Sequence, residues 1–180
     1  MHRRRLPHLS GLERAIFLTW RLHGTLPAHR YFPVANVVDS GKVFAAMDRI
    51  LDRADTGPSH LREPRIADMI VEAFRYNSEQ LGHYELHAFV IMPNHVHLLI
   101  TLAVKLPLLT KSLKGITAKK ANLILGSTGT PFWQEESYDR LVRNSDEFER
   151  IRNYIETNPV RAGLVNERSS FKWSSAWEQY

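Results

Sequence analysis

The 180-residue chain contains no cysteine, which excludes disulfide bonds, thiolate zinc sites and cysteine nucleophiles. It also lacks long hydrophobic runs. The apolar stretch behind the basic N-terminus, residues 15–20, is too short for a signal peptide or a membrane span. Repeats and long linkers are missing as well, and a 43% hydrophobic content is enough for one core. We therefore expect a single domain over residues 1–180, in the cytoplasm, with no membrane partner.

Acidic residues are missing from a long internal segment, residues 86–134, although the chain as a whole has a net charge of only +5. The same segment carries Lys105, Lys111, Lys114, Lys119 and Lys120. A lysine-bearing segment without acids suits a phosphate backbone, whereas a buried strand would be poor in acids for its own reasons. The charge distribution therefore favours a polyanionic partner without establishing one.

Hydrophobic periodicity predicts strands alternating with helices. The predicted strands cover 16–22, 84–92 and 95–101, with two short pieces at 131–133 and 138–142. The predicted helices cover 41–52, 65–80, 106–125 and 144–158. Pro93 and Asn94 separate two of the strands by a tight turn, which is a hairpin signal. This order indicates an α+β domain in which helices pack on an antiparallel sheet.

His95 and His97 alternate within one predicted strand, so their side chains share a face. Both imidazoles could therefore bind one metal ion, while Val96 and Leu98 face the core. A His-x-His pair standing alone is more often two solvent-facing histidines. The spacing permits a metal site but does not by itself establish it.

The last predicted helix places Tyr154 and Asn158 four residues apart, along one edge of an apolar stripe. Asn144 and Glu147 have the spacing of a capping box at its start, and Pro159 is expected to end the helix at Asn158. The hydroxyl and the carboxamide then point the same way. A tyrosine in such a position is commonly a core-edge residue with a hydrogen-bonded hydroxyl, so position alone assigns it no chemistry.

The lysine-bearing helix is predicted to bury one stripe and expose the other. The predicted buried stripe consists of Leu109, Leu113, Ile116 and Leu123. Lys111, Lys114 and Lys119 fall on the opposite half of the helix, as on many solvated helices. Lys120 falls inside the stripe, so it should either extend to solvent or reach a buried anion.

Three segments in sequence order, residues 84–100, 132–144 and 153–164, resemble the REP-associated tyrosine transposases. These are relatives of the single-tyrosine insertion-sequence transposases in the HUH superfamily. The resemblance covers about residues 17–165, and residues 34–60 form a divergent or inserted stretch. It implies a ferredoxin-like α+β fold of the HUH endonuclease type.

The resemblance also implies roles for individual residues. Tyr154 matches the nucleophile, His95 and His97 match the metal-binding pair, and Asn158 takes the place of a third metal ligand. The implied metal is Mg²⁺ or Mn²⁺, held by three neutral side chains. The implied substrate is single-stranded or hairpin DNA, cut and rejoined through a 5′-phosphotyrosine link.

Under this interpretation the lysine-bearing helix supplies DNA contacts through Lys111, Lys114, Lys119 and Lys120. One alternative stays open: a catalytically idle protein, derived from a transposase, that binds a DNA or RNA hairpin. A nucleotide hydrolase of the histidine-triad type is disfavoured because Leu99 stands where a third alternating histidine is needed. A homodimer and a monomer are equally plausible.

Overall fold

The computed structural model describes residues 15–26, 40–53 and 57–177. The basic N-terminus and parts of the 34–60 stretch lie outside the described residues. Four strands form one antiparallel sheet: β1 (Ala15–Leu22), β2 (Tyr84–Ile91), β3 (His95–Leu102) and β4 (Trp133–Leu141). Their order is β2-β3-β1-β4. This arrangement confirms the predicted ferredoxin-like α+β fold.

Four helices cover the two faces of the sheet: α1 (Ser40–Arg53), α2 (Pro64–Glu79), α3 (Leu106–Leu125) and α4 (Ser145–Arg161). Alternate side chains of the strands enter two separate cores. One core joins the sheet to α2 and α3 and includes Val96 and Leu98. The other joins it to α1 and α4 and includes Phe17 and Leu99. Because His95 and His97 alternate with Val96 and Leu98, they face α1 and α4.

Strand β4 is continuous, so the expectation of two short pieces was wrong. Its middle residues, Gln134–Ser137, have no apolar pattern, because β4 is an edge strand with one neighbour. Pairing with β1, from Leu22 opposite Trp133 to Ile16 opposite Leu141, maintains the strand through a bulge. Backbone hydrogen bonding to β1 therefore keeps β4 continuous, although its side chains show no strand periodicity there.

Helix α4 does not end at Asn158 as expected, because it continues through Pro159 to Arg161. Asn144 does accept a hydrogen bond from the Glu147 amide at 2.8 Å, as the capping signal predicted. Pro159 costs the helix one amide donor, but its ring is buried and the next turn closes normally. The Ala162 amide donates to the Asn158 carbonyl at 2.9 Å.

Helix α3 is rotated from the predicted orientation. Ile116 and Leu123, expected in the buried stripe, are exposed by 42% and 63%. Lys120 is exposed rather than inside the stripe. The buried face instead contains Thr117, whose hydroxyl accepts a hydrogen bond from the Trp133 indole at 2.8 Å. Thr117, a polar residue with a hydrogen-bond partner in β4, is thus buried on a face where periodicity predicted apolar residues.

Lys114 was expected to face solvent, but it is half-buried between α3 and β4. Its ammonium group donates to the Gln134 and Glu135 carbonyls, each at 2.7 Å. Burial lowers the pKa of Lys114 to about 8. The lysine thus joins α3 to the edge strand.

Replacing Lys114 with Met should lower the free energy of unfolding by about 1–3 kcal/mol, because one part-buried and one exposed carbonyl lose a charged donor. The same change at exposed Lys111 should have little effect. Urea unfolding of both variants measures the difference. Equal stability of the two variants would contradict the structural role of Lys114.

Candidate metal and nucleophile site

The two histidines of β3 point their Nε2 atoms at each other, 3.1 Å apart, and both side chains are fully buried. Alternation along the strand puts His95 and His97 on one face, as predicted. The solvent-exposed alternative for this pair is excluded because both are 0% exposed. Two buried imidazole nitrogens this close together need a proton or a cation between them or beside them.

Each imidazole ring is oriented by a hydrogen bond at its Nδ1 atom. Thr19, directly opposite on β1, contacts His97 Nδ1 at 2.7 Å. Asn94 Oδ1 contacts His95 Nδ1 at 2.7 Å, and Asn94 Nδ2 donates to the Leu51 carbonyl at 3.0 Å. A carboxamide oxygen can only accept, so His95 Nδ1 carries the proton and Nε2 presents a lone pair. Such outer contacts orient the ligands of metal sites.

Asp48, from α1, completes the cluster. Its Oδ1 lies 3.2 Å from His97 Nε2 and 3.6 Å from His95 Nε2, and its side chain is fully buried. Asp52, one helical turn further, places Oδ1 at 3.8 Å from His95 Nε2. Asp48, His95 and His97 offer three donor atoms within 4.8 Å of one another. The three residues thus form a candidate metal site.

The electrostatics of the cluster suit a cation. Burial, together with the neighbouring His97, lowers the pKa of His95 to about 3, so this imidazole is neutral at physiological pH, as a metal ligand must be. Burial alone would raise the pKa of Asp48, yet His97 and His95 hold it below its usual range. Burial and the Asp48 charge raise the pKa of Asp52 to about 7. These two carboxylates repel each other across the site.

The donor set is compatible with a divalent metal ion. Among the described residues, Asp48 Oδ1, Asp52 Oδ1 and Asn158 Oδ1 are buried oxygens with no hydrogen-bond partner. Buried oxygens without a donor are costly unless a cation or water meets them. Two histidines and one carboxylate form a recurrent triad for divalent metals. With Asp48, this candidate triad would include one charged ligand, whereas the sequence predicted three neutral ones.

Tyr154 reaches the same cluster from α4. Its hydroxyl donates to Asp48 Oδ2, and its ring lies edge-on to Phe17 with the centroids 6.2 Å apart. Burial and the Asp48 charge raise the pKa of Tyr154, opposed by Arg161, whose guanidinium carbon lies 4.6 Å from the ring centroid. The extension of α4 beyond Pro159 is what carries Arg161 over the tyrosine.

Asn158, also on α4, is fully buried beside Asp48. Its Nδ2 lies 3.5 Å from Asp48 Oδ2, while its Oδ1 has no partner among the described residues. The structure gives Ala162 as the C-cap, so the side chain of Asn158 does not cap the helix. The structure therefore brings Tyr154 and Asn158 together with His95 and His97 around Asp48.

The predicted lysine contacts are not part of this cluster. Lys111, Lys119 and Lys120 are exposed on α3, which packs on the opposite face of the sheet from the histidines. Lys114 is engaged by β4 carbonyls, as described above. The sheet thus separates the lysine-bearing helix from the histidine cluster.

Comparison with a solved structure agrees with this fold, and a family profile matches part of the sequence. Residues 59–158 match the profile of the IS200-like transposase family. A REP-associated tyrosine transposase bound to a REP hairpin has a similar structure, with 17% identity and a TM-score of 0.55, over 97% of this chain and 82% of that one. A candidate transposase from Deinococcus radiodurans R1 has 19% identity and a TM-score of 0.45, over 87% and 98%. No curated protein sequence matches.

The class of protein defined here is a ferredoxin-like domain with a buried His-x-His pair beside a tyrosine. The family match covers more than half of the chain, and the chain belongs to the IS200-like transposase family. This family assignment confirms the resemblance found in the sequence and indicates a DNA-processing enzyme. Among the described residues, no helix is long and apolar enough to cross a membrane.

Sequence reasoning missed Asp48, which lies in the stretch expected to be divergent and outside the matched family region. A signal was present, because Asp48 falls within the buried apolar stripe of Phe44, Met47 and Leu51. A carboxylate in such a stripe requires a partner. The contact of Asn94 with His95 was also not predicted, because asparagine is common in turns and the β2–β3 turn already explained this residue.

We expect Mn²⁺ to raise the melting temperature of the protein, because a ligand that binds only the folded state stabilises it. Replacing Asp48 with Asn removes the negatively charged carboxylate that would bind the ion, and it should abolish most of the rise in melting temperature. Asp139→Asn is the control, since Asp139 pairs with Leu18 and so faces the other side of the sheet. Scanning fluorimetry measures both, and an unchanged Mn²⁺ effect in Asp48→Asn would remove Asp48 from the site.

Proposed function

We propose that this protein is a metal-dependent endonuclease and strand transferase that cuts single-stranded DNA near palindromic hairpins. Tyr154 is the proposed nucleophile, and the product is a 5′-phosphotyrosine link with a free 3′-hydroxyl. The observation that carries the proposal is the meeting at Asp48 of the two histidines, through Oδ1, and the tyrosine hydroxyl, through Oδ2. One carboxylate thus joins the candidate metal ligands to the candidate nucleophile.

The proposed ligands are His95, His97 and Asp48, with Asn158 Oδ1 as a further oxygen donor next to them. Mg²⁺ or Mn²⁺ suits this mixture of imidazole and hard oxygen ligands. When bound, the ion would polarise a non-bridging phosphate oxygen and neutralise the charge that develops there. Thr19 and Asn94 keep both imidazoles oriented for this task.

The transfer step forms a bond between the Tyr154 oxygen and phosphorus and breaks the bond from phosphorus to the 3′-oxygen. The departing oxygen takes up a proton, and the phenol gives one up. The raised pKa of Tyr154 means that the phenol holds its proton until attack, so the hydrogen bond to Asp48 supplies an acceptor. Arg161, whose guanidinium group lies over the ring, adds positive charge beside the proposed nucleophile.

The proposed partner is single-stranded or hairpin DNA. The fold is shared with a protein whose structure contains a REP hairpin, and this likeness supports the same class of ligand here. The same resemblance would hold for an idle hairpin-binding protein. The arrangement of Tyr154 against Asp48 favours the enzyme, because binding alone needs no buried hydroxyl beside a cation site.

Tyr154→Phe should abolish nicking and covalent adduct formation on hairpin substrates, because only the attacking oxygen is removed. The ring contacts with Phe17 and Arg161 remain possible, so DNA affinity should change little. Tyr76→Phe, at an exposed tyrosine of α2, is the matched control and should stay active. Denaturing gels resolve the adducts; persistence of the adduct in Tyr154→Phe would assign the nucleophile elsewhere.

The exposed lysines of α3 remain candidates for phosphate contacts, at a distance from the cleaved bond. If Lys111, Lys119 or Lys120 contacts a single strand, its replacement with Ala should flatten the slope of log K against log salt by about 0.7. Lys114 should contribute less, because β4 carbonyls already occupy its ammonium group. Salt titrations of binding measure the slopes, and three unchanged slopes would show that α3 faces away from DNA.

A further inference from the structure

Arg161 carries an exposed positive charge beside the candidate nucleophile. It lies in the last turn of α4, and its guanidinium carbon is 4.6 Å from the centroid of the Tyr154 ring. The two residues are separated by about two helical turns, which bring their side chains to the same face of α4. This alignment depends on α4 continuing through Pro159. Arg161 thus places a solvent-accessible cation next to the tyrosine.

The charge of Arg161 is not neutralised by an acidic side chain, unlike that of two nearby arginines. Arg152 and Arg168 each lie 3.4 Å from a carboxylate oxygen of Glu156. Among the described residues, no acidic group lies within ion-pair distance of Arg161. Burial raises the pKa of Tyr154, and Arg161 opposes that rise, so the positive charge acts on the phenol itself. Arg161 therefore remains available to an anion that approaches the tyrosine.

A phosphate in position for attack would meet negative charge. The Tyr154 hydroxyl donates to Oδ2 of Asp48, a fully buried carboxylate. Phosphorus must come within about 3–3.5 Å of the attacking oxygen. At that distance Asp48 repels the non-bridging phosphate oxygens unless cations offset its charge. The candidate metal site accounts for one of these oxygens. A guanidinium group suits the other, because its fork of N–H donors matches the geometry of phosphate.

We propose that Arg161 donates hydrogen bonds to a non-bridging oxygen of the phosphodiester that Tyr154 attacks, and that it is a further catalytic residue of this site. The proposal rests on the proposed function, because it takes the position of the phosphate from Tyr154. A guanidinium group over an aromatic ring keeps its in-plane N–H donors available. Arg161 transfers no proton: it stabilises the negative charge of the phosphate during attack and again when the strand is rejoined.

Removing one charged oxygen from the phosphate tests the contact. Arg161→Gln removes the cation, and Arg75→Gln is the matched control, because Arg75 is exposed on α2, which covers the opposite face of the sheet. The first substrate is a hairpin oligonucleotide that the wild-type protein nicks. Two further substrates carry a methylphosphonate at the nicked position, one for each diastereomer, so that a neutral methyl group replaces either non-bridging oxygen. Rates of adduct formation are measured with Mn²⁺.

We expect Arg161→Gln to slow adduct formation on the phosphodiester about 100-fold, as for the loss of one donor to a developing negative charge. On the diastereomer whose methyl group faces Arg161, the variant and the wild type should react equally fast, because neither makes the contact. Arg75→Gln should match the wild type on all three substrates. Equal slowing of Arg161→Gln on all three would mean that Arg161 only holds the tyrosine ring, and it would overturn the proposal. A wild-type rate on the phosphodiester would overturn it as well.

A second measurement needs neither metal nor cleavage. In EDTA, Arg161→Gln should flatten the slope of log K against log salt for a short oligothymidylate by about 0.7, because one phosphate contact is lost. A role limited to packing on the ring predicts no change in slope. An unchanged slope would therefore refute the phosphate contact, even where the methylphosphonate substrates do not react. Adduct formation by Tyr154→Phe would instead refute the nucleophile, while the slope would still report whether Arg161 contacts a phosphate.

Discussion

The meeting of Asp48 with His95 and His97 is the constraint on which the rest of the site depends. Three polar side chains converge without exposure to water, so each must be oriented by the protein. Thr19 and Asn94 orient the imidazoles, and the hydroxyl of Tyr154 occupies the second oxygen of the carboxylate. The arrangement thus draws on α1, α4, β1, β3 and the β2–β3 turn.

Asn94 connects the two halves of the cluster. Its oxygen orients His95 while its amide nitrogen binds the Leu51 carbonyl near the end of α1. The hydrogen bond from Asn94 thus ties the β2–β3 turn to α1 at Leu51, one helical turn after Asp48. It therefore helps to fix the position of Asp48 relative to the two histidines. A helix outside the matched family region is in this way joined to the segment that carries the family motif.

The two faces of the sheet have different chemistry. The face covered by α1 and α4 holds the histidine cluster and the tyrosine, whereas α3 presents its lysines on the other side. A nucleic acid that contacts both would have to pass around an edge of the sheet. The β4 edge is partly occupied there, since Lys114 binds the Gln134 and Glu135 carbonyls.

The order of helices and strands, the hairpin and the alternation of His95 with His97 followed from the sequence by itself, because they depend on local periodicity and turn residues. The resemblance added Tyr154 and Asn158, whose roles remain proposals, on a helix whose start the Asn144 cap also marked. Periodicity misplaced the end of α4 at Pro159 and the buried face of α3. In both cases packing outweighed a local preference worth only a few kcal/mol.

Only the tertiary structure decided that Asp48 belongs to the site. Asp48 and His95 are far apart in sequence, and no local pattern relates a residue of α1 to a strand beyond α2. The same holds for the stacking of Phe44 on Tyr138. Contacts between distant segments depend on how the helices dock on the sheet, and that docking is set by the sum of many buried contacts rather than by any single motif.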